Sequence, residues 1–443
     1  MESTVLHIDT AKDLGPVRRL NSVGGGPVTY SFSYDASAYF KEAKIPFSRT
    51  HDIEYPFGSG EYVDVHNLFP DFDKDENDPK NYNFILTDEY LKRIEAVGTK
   101  PFFRLGSSIE HLPIKRFIVP PKDFKKWGRI CSKIIAHYNE GWADGFYMGI
   151  EYWEIWNEPD IPNCWTGTDE QIIALYEAAA TVIKAEHPSV KVGGLAFSST
   201  KCALVDSFLN HCKTNNVPLD FLSWHAYVRT PEEAAENAKR VREKMAEYGF
   251  QDKESVYDEW NYAMGWGPEL EKSFDFHYTV GEAAFMGAMM STASANGVDI
   301  ACYYDVQQVM ERVWNGVFAP GPRDGQAGKT VKTLPGYYAL KYWGALYGKN
   351  VVPAACDNPT VYSTAAVSED KKELYLLVSN FEDKAGCGLI PPNSVSLKFD
   401  VNGYCAKEAF VTDSYGNDAR VSVANNELYM RGYTVALVVF AKN

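Results

Sequence analysis

From residue 20 to residue 347, short runs rich in β-branched and aromatic residues alternate with stretches of helical periodicity, and this beat constrains the fold more than any other feature of the chain. The runs begin near Asn21, Ile45, Lys100, Tyr152, Val190, Phe221, Ser255 and Ile300, giving eight predicted strands. Eight strands, each followed by a helix, point to an α/β fold of the (β/α)8 TIM barrel type rather than to an open sheet. The helices carry start signals of their own. Thr168-Asp169-Glu170-Gln171 and Thr230-Pro231-Glu232-Glu233 read as capping boxes, the second with Pro at the first helical position. In the latter helix Ala234, Ala238, Val241 and Met245 recur at helical spacing, while Thr87 is predicted to cap a helix whose stripe of Leu91, Ile94 and Val97 ends at Gly98.

After Gly348 the texture changes to strands alone, at 361–367, 374–380, 395–401, 408–413 and 434–440, which predicts a smaller C-terminal β-sandwich. The predicted organisation is an N-terminal segment over 1–20 that lends a strand to the sandwich, a barrel over 21–347 and the sandwich over 348–443. Long stretches at 52–84 and 306–332 follow the second and eighth strands and read as walls of a pocket, because loops at that end of a barrel build its site.

A chain of 443 residues, 45% hydrophobic and 14% aromatic, buries a large core without metal or disulfide staples. Its net charge of −15 repels phosphate backbones and anionic lipid, which argues against nucleic acid or membrane partners and suits a neutral substrate. The eight cysteines are scattered, with no C-x-x-C pair, and read as reduced thiols. With no basic leader and no apolar run near the ~18 residues of a membrane span, the expected location is the cytoplasm.

The densest chemistry lies in 152-YWEIWNEPD-160 at the end of the fourth strand, where an Asn-Glu pair precedes a helix-breaking Pro. Retaining glycoside cleavage needs two carboxyl groups, one donating a proton and one attacking the sugar, and Glu259 in 255-SVYDEWNY-262 supplies a second at the end of the seventh strand. Because side chains alternate along a strand, Asn157 and Glu158 can both face a substrate only if the pleat breaks before Pro159.

Asn157-Glu158-Pro159, Asp258-Glu259-Trp260-Asn261, 49-RTHD-52 and 224-WHAY-227 together resemble glycoside hydrolase family 39, over nearly the whole chain. The resemblance implies Glu158 as acid/base, Glu259 as nucleophile and Asn157 as a partner of the sugar 2-hydroxyl. Apolar neighbours such as Trp156 and Trp165 would keep an acid protonated, whereas Arg49 and Tyr227 are donors able to hold Glu259 ionised. His51 and His225, as neutral imidazoles, are expected on sugar hydroxyls, and Trp260, Tyr303 and Trp266 are candidates to stack on a sugar face.

Departures from the family pattern bear on the sugar. Tyr304 stands where relatives carry Trp, Gln307-Gln308 where xylosidases show acidic residues, and 103-FRLGSSIEH-111 is unlike the xylosidase segment, all of which weigh against xylose. No Lys/Arg cluster marks a uronate site. The expected enzyme is xylosidase-like with its sugar left open, acting on a plant-type oligosaccharide or glycoside cut from its end, with no cofactor and no metal. Two rivals are a non-catalytic carbohydrate-binding barrel and a metal-dependent hydrolase starting from His51-Asp52, although the nine histidines form neither H-x-H nor H-E-x-x-H.

Overall fold

Eight parallel strands pair in chain order and the last closes on the first. In the computed structural model, which describes residues 4–28, 35–53, 61–306, 314–319, 331–384 and 390–442, the chain opens with β1 (Thr4–Ile8). The barrel follows as β2 (Arg19–Gly24), β3 (Phe47–Arg49), β4 (Lys100–Leu105), β5 (Tyr152–Ile155), β6 (Lys191–Phe197), β7 (Phe221–Val228), β8 (Glu254–Tyr262) and β9 (Ile300–Tyr303). The fourth barrel strand is thus β5, and the seventh is β8. Helices α1 (Ser37–Ala43), α2 (Val65–Leu68), α3 (Ile85–Ala96), α4 (Phe124–Glu140), α5 (Asp169–Glu186), α6 (Ala203–Thr214), α7 (Pro231–Glu247), α8 (Pro268–His277) and α9 (Val280–Ala295) lie between the strands, and α10 (Gly336–Gly344) follows them.

Alternation along the strands sorts the barrel interior into layers. Phe47, Phe102, Tyr152, Phe221, Val256 and Ile300 meet inside as a buried apolar plug. Two residues further along the same strands come Arg49, Arg104, Glu154, Ser223, Asp258 and Cys302, so the layer above the plug is mostly charged. The intervening positions, among them Trp153, Leu222, Trp224 and Tyr257, join the core formed with the helices.

Thr168 caps α5 through a reciprocal box with Gln171. Thr230 caps α7 by accepting from Glu233 N, but the Glu233 carboxylate reaches back to Arg229 N rather than to the cap residue. Thr87 differs from expectation. Helix α3 begins at Ile85, and the Thr87 hydroxyl inside its first turn donates to Tyr62 O at 2.8 Å.

The remaining strands are β10 (Lys349–Val352), β11 (Ala354–Cys356), β12 (Val361–Ser368), β13 (Glu373–Asn380), β14 (Val395–Val401), β15 (Tyr404–Asp413), β16 (Gly416–Val421), β17 (Glu427–Met430) and β18 (Thr434–Lys442). They form two sheets, β11-β1-β14-β17 and β10-β12-β13-β18-β15-β16, with β1 parallel to β14 inside the first. Leu6, Leu376, Leu397, Met430 and Phe440 are buried in the cluster between the sheets. The larger sheet also lies against α9, where the Ser379 hydroxyl donates to Ala284 O at 2.5 Å.

The seven cysteines among the described residues are free thiols. Among those residues no helix is long and apolar enough to cross a membrane.

The seam between α1 and α10 admits no side chain at Gly344, because a Cβ there would lie 2.0 Å from Ala43 O. Gly344→Ala is expected to lower stability by about 1–3 kcal/mol through forced backbone separation, read as a fall in Tm.

Candidate active site

The chain leaves regular strand geometry where the two site residues of β5 must share a face. Strand β5 ends at Ile155, Trp156 and Glu158 take positive φ angles of 73° and 45°, and Glu158 N donates to Ala196 O at 2.9 Å on the next strand. Asn157 and Glu158 both turn inward as a result. Asn157 Oδ1 accepts from Arg49 Nη2 at 2.7 Å, and Glu158 Oε1 bonds His225 Nδ1 at 2.8 Å.

A comparable irregularity acts on β8. The register shifts against both neighbouring strands around Asp258 and Glu259, so two successive carboxylates meet the Arg49 guanidinium. Arg49, only 1% exposed, donates Nη1 to Glu259 Oε1 at 2.7 Å and Nε to Glu154 Oε2 at 2.8 Å, and lies 2.9 Å from Asp258 Oδ2. Tyr227 OH donates to the other Glu259 oxygen at 2.8 Å. One oxygen of Glu158 and one of Glu259 lie within 4.8 Å of each other and of a His225 nitrogen.

Burial pushes the Glu259 carboxyl up from its ordinary value, with His225 and Arg49 pulling against it. Burial lowers His51 well below the usual histidine value, reinforced by Arg49 and Arg104, so its imidazole is neutral. Arg104 Nε donates to His51 Nδ1 at 3.3 Å, which turns Nε2 toward Asp52 at 3.3 Å and Glu259 at 3.6 Å.

His225 departs from the neutral sugar-binding group expected of it. Burial alone would lower it, but Glu259, Asp258 and Glu158 raise it well above the ordinary value. Both ring nitrogens face carboxyl groups, Nδ1 toward Glu158 and Glu259 and Nε2 toward Asp258 Oδ1 at 3.6 Å, so the ring is a cation between them rather than a hydroxyl reader.

Of the three expected stacking residues, two lie elsewhere. Trp260 and Tyr303 are 1% and 0% exposed and point away from the barrel axis. Trp260 packs on Phe285 of α9, and Tyr303 OH donates to Glu282 on the same helix at 2.9 Å. Strand parity decides this for Tyr303, which follows the inward Cys302, whereas Trp260 faces outward because the register shift before it reverses the alternation of β8. Trp266 is 66% exposed and stands edge-on to Tyr227 at 5.7 Å and to Trp314 at 6.0 Å. Tyr227, Tyr304, Trp314 and Trp266 therefore form an aromatic wall beside Glu259, and Tyr304 OH holds Asp52 Oδ2 at 2.8 Å.

Trp156 and Trp165, expected as the apolar neighbours of the acid, pack edge to face on each other with ring centroids 4.9 Å apart. The polar contacts of Glu158 are His225 and the Cys164 thiol, the latter at 3.9 Å. Gln307-Gln308, residues 54–60 of the first wall loop and most of the second fall outside the described residues. Sequence reasoning passed over Asp258, Arg104, Glu154 and Trp314. A charged residue one place before a strand end flags Arg104 and Glu154, and a lone Trp in a post-strand loop flags Trp314.

A closed (β/α)8 barrel with paired carboxylates at the ends of its fourth and seventh strands defines the class: this is a barrel of the glycoside hydrolase type. Within that class the chain belongs to glycosyl hydrolases family 39, whose sequence signature matches residues 4–319. It is 28% identical over 213 residues to a β-xylosidase of Geobacillus stearothermophilus, covering 46% of this chain and 40% of that one. To a β-xylosidase of Caldicellulosiruptor saccharolyticus it is 25% identical over 320 residues, covering 68% of this chain and 64% of that one. The matches thus span less than two thirds of either relative's length. In fold it is similar to a glucosidase of Croceicoccus marinus, with a TM-score of 0.77 and 20% identity over the full length of both chains.

Proposed function

We propose that the protein is a retaining glycoside hydrolase working by double displacement, with Glu259 as nucleophile and Glu158 as acid/base. The observation that carries this is the approach of their carboxylate oxygens to within 4.8 Å. Direct attack by a carboxylate needs ~5–5.5 Å between the two groups, whereas activating a water for inversion needs ~6.5–9.5 Å. The surroundings fit the two roles. Arg49 and Tyr227 fix both oxygens of Glu259 for in-line attack, and as the glycosyl ester forms they remain to take up the changing charge. Glu158 shares a proton-bearing contact with His225 on the opposite side, where the leaving oxygen departs.

Asn157, held by Arg49, is placed to meet the 2-hydroxyl, and neutral His51 to meet a neighbouring hydroxyl. Trp266, Trp314 and Tyr304 supply the apolar face for a sugar ring. The substrate class is a glycoside or plant-type oligosaccharide cut from its end, and the names of the two relatives favour a xylosidase-like enzyme.

A panel of aryl pentopyranosides, hexopyranosides and arabinofuranosides, read by the configuration of the first product in NMR, tests the proposal. Turnover of at least one with net retention is expected. Inversion, or binding of sugars with no turnover across the panel, would overturn it.

A further inference from the structure

Beneath the two catalytic carboxylates sits a second pair that the mechanism does not use. Glu154 on β5 and Asp258 on β8 are both 0% exposed. Together with Glu259 they place three carboxyl groups around the single guanidinium of Arg49, at 2.7, 2.9 and 2.7 Å. The Arg49 Nε hydrogen is directed to Glu154 Oε2. Glu154 Oε1 and both Asp258 oxygens have no ordinary donor in hydrogen-bond geometry among the described residues. The two carboxyl groups are within hydrogen-bond reach of each other. Other groups facing the pair are His225 and Ser223 on β7 and Cys302 on β9, and the Ser223 oxygen already accepts from Ala196 N at 2.9 Å.

Charge counting narrows the options. With Glu158 carrying the proton of the acid and the other three carboxyls ionised, Arg49 and a protonated His225 would leave one uncompensated anion in a buried layer, which desolvation penalises. A single proton between the two lower groups makes the layer neutral and joins two of the three oxygens that lack a hydrogen-bond partner. We infer that Glu154 and Asp258 share one proton, Glu154 being the neutral carboxylic acid that donates to an ionised Asp258, and that Asp258 acts as a positioning residue for both Arg49 and His225. Asp258 thereby acts from below on both catalytic carboxylates, on Glu259 through Arg49 and on Glu158 through His225. The electrostatics agree with this division. Burial raises Glu154 far above the carboxylate range with Arg49 only partly opposing, whereas burial of Asp258 is outweighed by Arg49 and His225, which bring it down to about 2.

Two measurements test the inference, and only the second rests on the glycosidase reading. In infrared difference spectra at neutral pH, wild type minus Glu154→Gln is expected to show one protonated-carboxyl stretch that the variant lacks. A difference in the carboxylate region alone would overturn the assignment. In the pH dependence of kcat/KM, Asp258→Asn is expected to move the basic limb down by about one pH unit, since His225 loses a neighbouring anion and gives up its proton more readily. Glu154→Gln, which keeps a neutral donor, is expected to leave that limb in place whatever the size of kcat. The opposite pattern, with Glu154→Gln moving the limb and Asp258→Asn leaving it, would place the charge on Glu154 and overturn the proposal. Should Glu154→Gln not fold, the limb in Asp258→Asn alone still decides, because an unmoved limb means that no charge was removed.

Discussion

Glu259→Gln is expected to lower kcat by about four orders of magnitude or more, the scale on which an essential nucleophile is lost. The amide oxygen of Gln can still accept from Arg49 or Tyr227, and Arg49 keeps Glu154 and Asp258, so the site should hold its shape. What disappears is the anion that attacks the anomeric carbon, and no other carboxylate replaces it, since Asp258 is committed below the cleft. Intact-mass measurement during turnover of a slow activated glycoside should show the mass of one added sugar on the wild type and none on the variant, with unchanged circular dichroism. A variant retaining a tenth of wild-type activity would sink the assignment. The same residue sets a pH dependence in the wild type. Glu259 must be ionised to attack, and burial raises its carboxyl from the ordinary value, so the acid limb of kcat/KM should lie above the ~4.3 of a free Glu.

Much of this site is written in the local order of residues, and the part that is not follows physical rules that a one-dimensional pattern does not display. The strand runs beginning near Tyr152 and Ser255 place Glu158 and Glu259 at the right ends of the right strands, because barrel loops and strand ends share one face. The need for a pleat break before Pro159 is also readable, and the positive φ of Glu158 meets it. Asp258 was not readable beside Glu259, because simple alternation turns only one of two successive residues inward and it is the register shift on β8 that turns in both. Trp260 and Tyr303 illustrate the reverse error, since closeness in sequence to a site residue says nothing about which face of the strand a ring occupies. The short strands β10, β11, β16 and β17 carry too few apolar residues to stand out from turns, and only their pairing partners define them. The charge of His225 has the same origin: three carboxyl groups contributed by different strands decide it.

Glu158→Ala divides the reaction into its two halves, which makes it the most discriminating single substitution. An aryl glycoside with a good leaving group departs without a proton, so the first half should survive, whereas water then lacks the base that activates it and the glycosyl-enzyme accumulates. Steady-state kcat on such substrates is expected to fall by about 10²–10⁴ with a fall in KM as well, because KM then reflects a trapped intermediate. On glycosides with poor leaving groups both halves are slowed and kcat/KM collapses too. The vacated space lies against His225, which still faces Asp258 once Glu259 is esterified and whose charge is no longer answered by the Glu158 carboxylate. A small anion is drawn to that position, on the face from which water normally attacks. Azide should therefore restore turnover of the activated substrate and yield a glycosyl azide of the same anomeric configuration as the substrate. If neither azide nor formate accelerates the variant while its fold is intact, the side chain at 158 is not the acid/base, and the double-displacement reading of this cleft falls with it.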